Sequence, residues 1–302
     1  VFTSVVSASS INSSDDNDSL LISGSFISST VLGGSGNDSV SFAQAVGTAN
    51  LISMDAGSDL VVFSGAVSAA AVYGGDNNDT VMLSAGLTGA TIDSGSGNDS
   101  ISIASAMVSA SVLGGVGDDT VRVNTSIGAG NLISLDAGAD LLSLVSAASG
   151  VAVYGGANED TLVFSGDVSS STIDAGAGED SISFGSGFVS STLLADAGSD
   201  LVVFASSLGG GNLISLGAGN DTATFTGAIT SASIYGGSQN DVLRFSSTVN
   251  GATIDVGEGQ DKLIFSSLVS GAILSGSGST TDLTFSDAAD TVVFKSFAAA
   301  TS

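Results

Sequence analysis

Apolar residues recur along this chain in a short, fixed rhythm. Counted from the aspartate that closes each glycine-rich stretch, the second residue on is apolar: Val40, Val61, Val81, Ile101, Val121, Leu142, Leu162, Ile182, Val202, Leu243 and Leu263. The fourth is apolar again and often aromatic: Phe42, Phe63, Leu83, Ile103, Val123, Leu144, Phe164, Phe184, Phe204, Phe225, Phe245 and Phe265. The residue between them varies and is often polar, as at Ser41, Arg122, Ser183, Thr224 and Arg244. A period of two predicts a strand buried on one face. A second apolar set follows, with Phe26, Val67, Leu87, Val168, Phe188, Ile229, Val249 and Val269, and then a third, with Val31, Val72, Ile92, Val112, Val153, Ile173, Ile234 and Ile254. Each repeat therefore reads strand, turn, strand, glycine turn. No stretch keeps a 3.6-residue apolar period over about ten residues, so helix is not expected.

The rhythm restarts at regular intervals. The closing aspartates are Asp18, Asp38, Asp59, Asp79, Asp99, Asp119, Asp140, Asp160, Asp180, Asp200, Asp221, Asp241, Asp261 and, displaced by one place, Asp282; the steps are 20 or 21 residues. Two short strands cannot bury their own apolar face, whereas stacked copies bury it in continuous ladders. The expected fold is all-β: a parallel β-solenoid, β-roll-like, of about fourteen coils, with two parallel sheets and the glycine–aspartate turns stacked along one edge. At ~4.8 Å per coil this is a rod of roughly 65–70 Å. The whole chain, 1–302, is expected to be one repeat domain, with 1–14 and 283–302 as atypical terminal segments and Asp290–Phe294 as a last short strand. Bare terminal coils expose unpaired backbone groups, which suits end-to-end joining or a longer chain.

A longer period overlies the short one. Asn50-Leu51-Ile52-Ser53 recurs as Asn131-Leu132-Ile133-Ser134 and Asn212-Leu213-Ile214-Ser215, and Val72-Tyr73-Gly74-Gly75 recurs as Val153-Tyr154-Gly155-Gly156 and Ile234-Tyr235-Gly236-Gly237, all at 81 residues. Four coils form the unit. Duplication of a four-coil block accounts for this; a surface that repeats every four coils and docks on a matching partner is the alternative.

Composition narrows the chemistry. The 42 glycines and the absence of proline suit many tight turns between strands that need every N–H. With no Cys, His or Trp, thiol and imidazole catalysis and Cys/His metal sites are excluded. Thirty acids against four basic residues give a formal charge of −26. Nucleic acid, which is held through Lys and Arg, is not an expected partner; cations are. No apolar run reaches the ~18 residues of a membrane span, so membrane insertion is not expected. The carboxylates fall in one row rather than as a pair in a pocket, and no enzymatic role is expected.

That row lies in a motif. Gly33-Gly34-Ser35-Gly36-Asn37-Asp38-Ser39-Val40-Ser41 and Gly114-Gly115-Val116-Gly117-Asp118-Asp119-Thr120-Val121-Arg122 both fit the nine-residue pattern G-G-x-G-x-D-x-U-x. The chain resembles the RTX, or hemolysin-type, calcium-binding repeat. Other copies drift, as at Gly74-Gly75-Asp76-Asn77-Asn78-Asp79 and Asp55-Ala56-Gly57-Ser58-Asp59, and the second turn of each coil has no motif. The resemblance implies one row of Ca²⁺ between neighbouring turns, with oxygen ligands from backbone carbonyls and from Asp18, Asp38, Asp59, Asp79, Asp99, Asp119, Asp140, Asp160, Asp180, Asp200, Asp221, Asp241 and Asp261.

Electrostatics points the same way. Carboxylates ~4.8 Å apart repel by roughly 1 kcal/mol in water and about 3–4 at an effective dielectric of 20. A hard divalent cation with flexible oxygen ligands removes that cost, and Ca²⁺ suits such sites better than Mg²⁺. The bland reading is that each Asp accepts N–H bonds within its own turn. Asn-Asp-Ser/Thr tripeptides at Asn37, Asn78, Asn98 and Asn220 match the N-glycosylation pattern as by-products of the motif.

The function expected from all this is structural: a secreted, calcium-stabilised repeat protein on a bacterial cell surface, self-associating end to end or side by side into a surface layer, sheath or filament. Apolar outward residues such as Leu60, Val62, Leu141, Leu201 and Val203 favour side-by-side contact. The alternatives are an adhesin stalk or other binding module, including an ice-binding face, and the repeat region of a larger secreted RTX protein with an enzymatic or toxin domain elsewhere. Ice-binding solenoids present rows of Thr or Asn, whereas one outward row here runs Leu32, Tyr73, Asp93, Leu113 and Tyr154.

Overall fold

A computed structural model describes residues 1–277, 282–285 and, for the backbone alone, 291–297. Among them every regular element is a β-strand, and the chain is a parallel β-solenoid of about fourteen coils, as the repeat predicts. It falls into two compact units, Val1–Ala152 and Val153–Ser302.

In the first unit each coil approaches its glycine turn on a six-residue strand and leaves on a four-residue one. The approach strands Leu51–Ala56, Ala71–Asp76 and Thr91–Ser96 pair in register, with Val72 between Ile52 and Ile92. The exit strands Leu60–Phe63, Thr80–Leu83 and Ser100–Ile103 do the same. Gly33 and Gly34 lie inside the strand Thr30–Ser35, so the first half of the motif is strand rather than turn. Beyond the two sheets that the periodicity predicts, short pairs such as Val67–Ser68 and Leu87–Thr88 add a narrow third ladder at the opposite bend.

The second unit repeats this plan, with approach strands such as Leu213–Ala218 and Ser233–Ser238 and exit strands such as Leu201–Phe204 and Thr222–Phe225. Its core holds a continuous aromatic column. Phe164, Phe184 and Phe204 stack, as do Phe204, Phe225, Phe245, Phe265 and Phe285, with ring centroids 4.7–5.2 Å apart. In the first unit the same place stacks only Phe42 on Phe63, at 5.0 Å, and continues in Leu83, Ile103, Val123 and Leu144, all buried.

The steps of 21 residues have a local cause. In the coil between Asp38 and Asp59, Asn50 is buried; its Nδ2 donates to the carbonyls of Gly47 (2.7 Å) and Phe26 (3.1 Å), and its Oδ1 accepts from the N–H of Ser29 (2.9 Å). Asn131 and Asn212 make the same three bonds in their coils. The side chain completes the ladder where an extra residue interrupts it.

The repeat is reduced at its N-terminal end. Val6–Ser7 and Ser10–Asn12 form a reduced coil paired to Phe26–Ile27 and to Thr30, Val31 and Leu32, and Ser14 and Asp16 take the positive φ values of the turn, 77° and 74°, without glycine. Asp282 pairs with Lys262, one place beyond the aspartate column. The expected last strand is present as Thr291–Phe297; Asp290 lies outside the described residues.

Candidate metal edge of the glycine turns

The turn needs two residues in the left-handed region. In the motif copy at Gly33 these are Gly34 (φ 103°) and Gly36 (φ 122°). Drifted copies place Asp55, Asp136 and Asp196 at the first position, and Asn77, Asn158 and Gln239 at the second, all at positive φ. Asp and Asn tolerate that region better than other side chains do, so most of the drift preserves the backbone path. Gly117 shows why glycine remains elsewhere: its φ is 127°, and a Cβ there would stand 2.1 Å from the Gly97 carbonyl oxygen of the preceding coil.

The path carries each closing aspartate onto the inward side of the turn, where the column expected from the sequence forms. In the first unit the backbone N–H groups of Asp18, Asp38, Asp59, Asp79, Asp99 and Asp119 donate to Oδ1 of Asp38, Asp59, Asp79, Asp99, Asp119 and Asp140, at 2.6–2.8 Å. In the second unit Asp160, Asp180, Asp200, Asp221 and Asp241 donate likewise to Asp180, Asp200, Asp221, Asp241 and Asp261, at 2.8–3.0 Å. The acceptor bond therefore runs between coils, not within one turn. Asp18 begins the column and is half-exposed; the aspartates from Asp38 to Asp261 are buried.

The other carboxylate oxygen is the notable one. Oδ2 of Asp38, Asp59, Asp79, Asp99, Asp119, Asp180, Asp200, Asp221, Asp241 and Asp261 is buried and accepts no hydrogen bond. Where a glycine stands five places before the aspartate, Oδ2 faces the space left by the missing side chain. A Cβ on Gly33 would lie 2.7 Å from Asp38 Oδ2 and 2.6 Å from the Met54 carbonyl oxygen; on Gly74, 2.4 Å from both Asp79 Oδ2 and the Ser94 carbonyl oxygen; on Gly236, 2.7 Å from Asp241 Oδ2 and 2.4 Å from the Val256 carbonyl oxygen. A carboxylate oxygen and a carbonyl oxygen of the next coil thus converge on one small space.

An orphaned anionic oxygen in such a place is costly. Burial, the largest cause, pushes Asp79, Asp119, Asp200 and Asp241 up to about 7 and Asp59, Asp140 and Asp221 up to about 6, against the lowering effect of the inter-coil N–H bonds. Asp99, Asp180 and Asp261 are raised for the same reason. Charge repulsion along the column, which sequence reasoning put first, is the smaller contribution; desolvation is the larger.

The donor chemistry, carboxylate plus carbonyl oxygen, is that of a hard cation such as Ca²⁺. Among the described residues no three acidic side chains converge on one point. A cation here would rest on one or two column carboxylates and on backbone carbonyls.

An outer ladder escaped the sequence reading. Oδ1 of Asn17 accepts from the N–H of Asn37 (2.7 Å), Asn37 from Ser58 (2.9 Å), Asn78 from Asn98 (2.9 Å) and Asn98 from Asp118 (3.0 Å); Asn220 and Asn240 do the same in the second unit. The repeated Asn-Asp dipeptide was the visible signal. Its two side chains reach in opposite directions along the stack.

No protein-family model matches this chain, and no curated protein matches it. Among solved structures it is similar to a hyperactive, Ca²⁺-dependent, β-helical antifreeze protein from an Antarctic bacterium, with a TM-score of 0.66 and 22% identity over 94% of this chain and 86% of that one. A likeness at that identity establishes the β-solenoid fold. A hyper-glycosylated TibA fragment aligns over 98% of both chains with 16% identity and a TM-score of 0.24.

Proposed function

We propose that this chain is a calcium-binding structural repeat protein that acts outside the cell and assembles with its own copies into a layer, sheath or filament. The observation that carries the calcium reading is the row of buried Oδ2 atoms that accept no hydrogen bond, those of Asp38, Asp79, Asp119 and Asp241 beside a carbonyl oxygen of the next coil. Ca²⁺ supplies charge neutralisation there. The chain's own part is to hold one oxygen of each carboxylate fixed by an N–H of the preceding coil and to leave the other for the ion. The fold neighbour is Ca²⁺-dependent, which supports the same reading. Extracellular calcium, near 10⁻³ M, fills even weak oxygen sites, which supports a place outside the cell. That neighbour's antifreeze activity is not carried over, because the edge runs, coil by coil, Ser35, Ala56, Asp76, Ser96 and Val116 rather than a regular hydroxyl row.

Chelation is the test. Titration of the EGTA-treated protein with Ca²⁺ is expected to raise the melting temperature and to release heat in a calorimeter. An unchanged melting curve together with a flat calorimetric titration would remove calcium from the account. Assembly is read separately, by electron microscopy at saturating calcium.

A further inference from the structure

A cleft of about 450 Å³ opens on the outward side of the approach strands in the second unit, walled by Tyr154, Asp174 and Asp196. Its floor is Gly156 and Gly176, which put no side chain into it. Tyr154 is 41% exposed, Asp174 is half-buried and close enough to Asp196 for the two carboxyls to interact, and Asp196 is exposed in the left-handed region with φ 68°. The volume is that of a ligand site, and two carboxylates call for a cation. A bare divalent ion is a poor match, because one wall is an aromatic ring and only two carboxylates are at hand. A guanidinium matches both walls: it is planar and weakly hydrated, stacks on an aromatic face, and donates N–H bonds to paired carboxylates.

The chain itself supplies such a group. Of its four basic residues, Arg122, Arg244 and Lys262 stand exposed on exit strands, at the outward positions of Thr120–Val123, Val242–Phe245 and Lys262–Phe265. The other outward positions of these strands, from Ser19 to Ile264, hold Ser, Thr and apolar residues and no acid. On a chain of net charge −26 this is the surface that can meet the acidic side of another copy without repulsion.

We propose that Arg122 or Arg244 of one copy docks into the Tyr154–Asp174–Asp196 cleft of a second copy. This rests on the assembly reading above and names the surfaces that carry it. The contact joins two different patches, so it can add copies head to tail, as a layer or filament requires. The 81-residue period adds secondary places of the same kind, where Tyr73 lies in register with Asp93 and Tyr235 with Asp255. In the first of these Gly115 stands where the cleft has Asp196, so the second carboxylate is missing.

The test uses the full chain at saturating calcium, in sedimentation velocity at low ionic strength. The wild type is expected to form large species. The double variants Arg122→Glu/Arg244→Glu and Asp174→Asn/Asp196→Asn, checked for native circular dichroism, are each expected to associate at least about tenfold more weakly, as for loss of a buried charge pair. Mixed together, they are expected to form a 1:1 complex that grows no further, because each retains one good surface. Variants that assemble like the wild type, or a mixture that gives no 1:1 complex, overturn the proposal while leaving assembly in place. A wild type that stays monomeric overturns both.

Discussion

Two columns run along the inside of each unit only four residues apart, and they answer stacking in opposite ways. Phe204 lies 4.7 Å from Phe184 and 5.2 Å from Phe225, so each added ring gains contact on both faces. Asp200, on the same exit turn, gains one N–H bond from Asp180 at 2.8 Å and one buried Oδ2 with no hydrogen bond. The register is identical, and the sign of the energy is set by the side chain. A repeat fold is therefore uniform in geometry and not in energy: one edge drives the stacking and the other resists it until its charge is met. The two units sharpen the contrast, since the first breaks the aromatic column into Leu83, Ile103, Val123 and Leu144 while keeping the aspartate column intact. The inner apolar column tolerates exchange; the turn column does not vary.

The largest effect is expected from the aspartate column as a whole. Without calcium, the raised carboxyls of Asp79, Asp119, Asp200 and Asp241, at about 7 against an ordinary 3.8, favour the folded state when protonated. That contribution is complete below the unfolded value and is lost as pH rises through the folded one. In EGTA the melting temperature is expected to fall from pH 5 to pH 8, and saturating Ca²⁺ is expected to remove the fall. Asp200→Asn reads the same effect at one coil: at pH 8 it is expected to raise the melting temperature in EGTA and to lower it in Ca²⁺. A fall of equal steepness with and without calcium would break the comparison.

Next in size is the apolar column. Phe204→Ala is expected to destabilise by about 3–5 kcal/mol in denaturant titration, with little change in calcium affinity. The smaller Val123 of the first unit, truncated to Ala, is expected to cost less. Equal losses would mean that neither the larger size nor the stacking of the rings adds stability.

The smallest effect concerns the coil with an extra residue. Asn131→Ala leaves the carbonyls of Met107 and Gly128 and the N–H of Ala110 without their side-chain partner. About 1–3 kcal/mol is expected, read by chemical denaturation. A neutral result would return the 81-residue period to simple block duplication.

Much of this was legible before any coordinates. The alternation around Val40 and Phe42 defines a strand with one face inward, and a 20-residue beat allows those faces to be buried only by stacking. The place of each aspartate followed from the same count. The short third ladder was missed because two-residue strands such as Val67–Ser68 carry too little pattern to register. The asparagines at 50, 131 and 212 were seen as a period but not as a device, since their three bonds join residues up to 24 apart in the chain.

The sequence by itself determined the coil, its register and the row in which the acids stand, because each follows from the spacing of residues within a single repeat. Only the tertiary structure decided what happens to a carboxylate once it is in that row: one oxygen tied to the coil before it, the other buried and, next to glycines such as Gly33 and Gly74, close to a carbonyl of the coil after. Those neighbours come from different repeats, and burial is a property of the stack that no single repeat possesses.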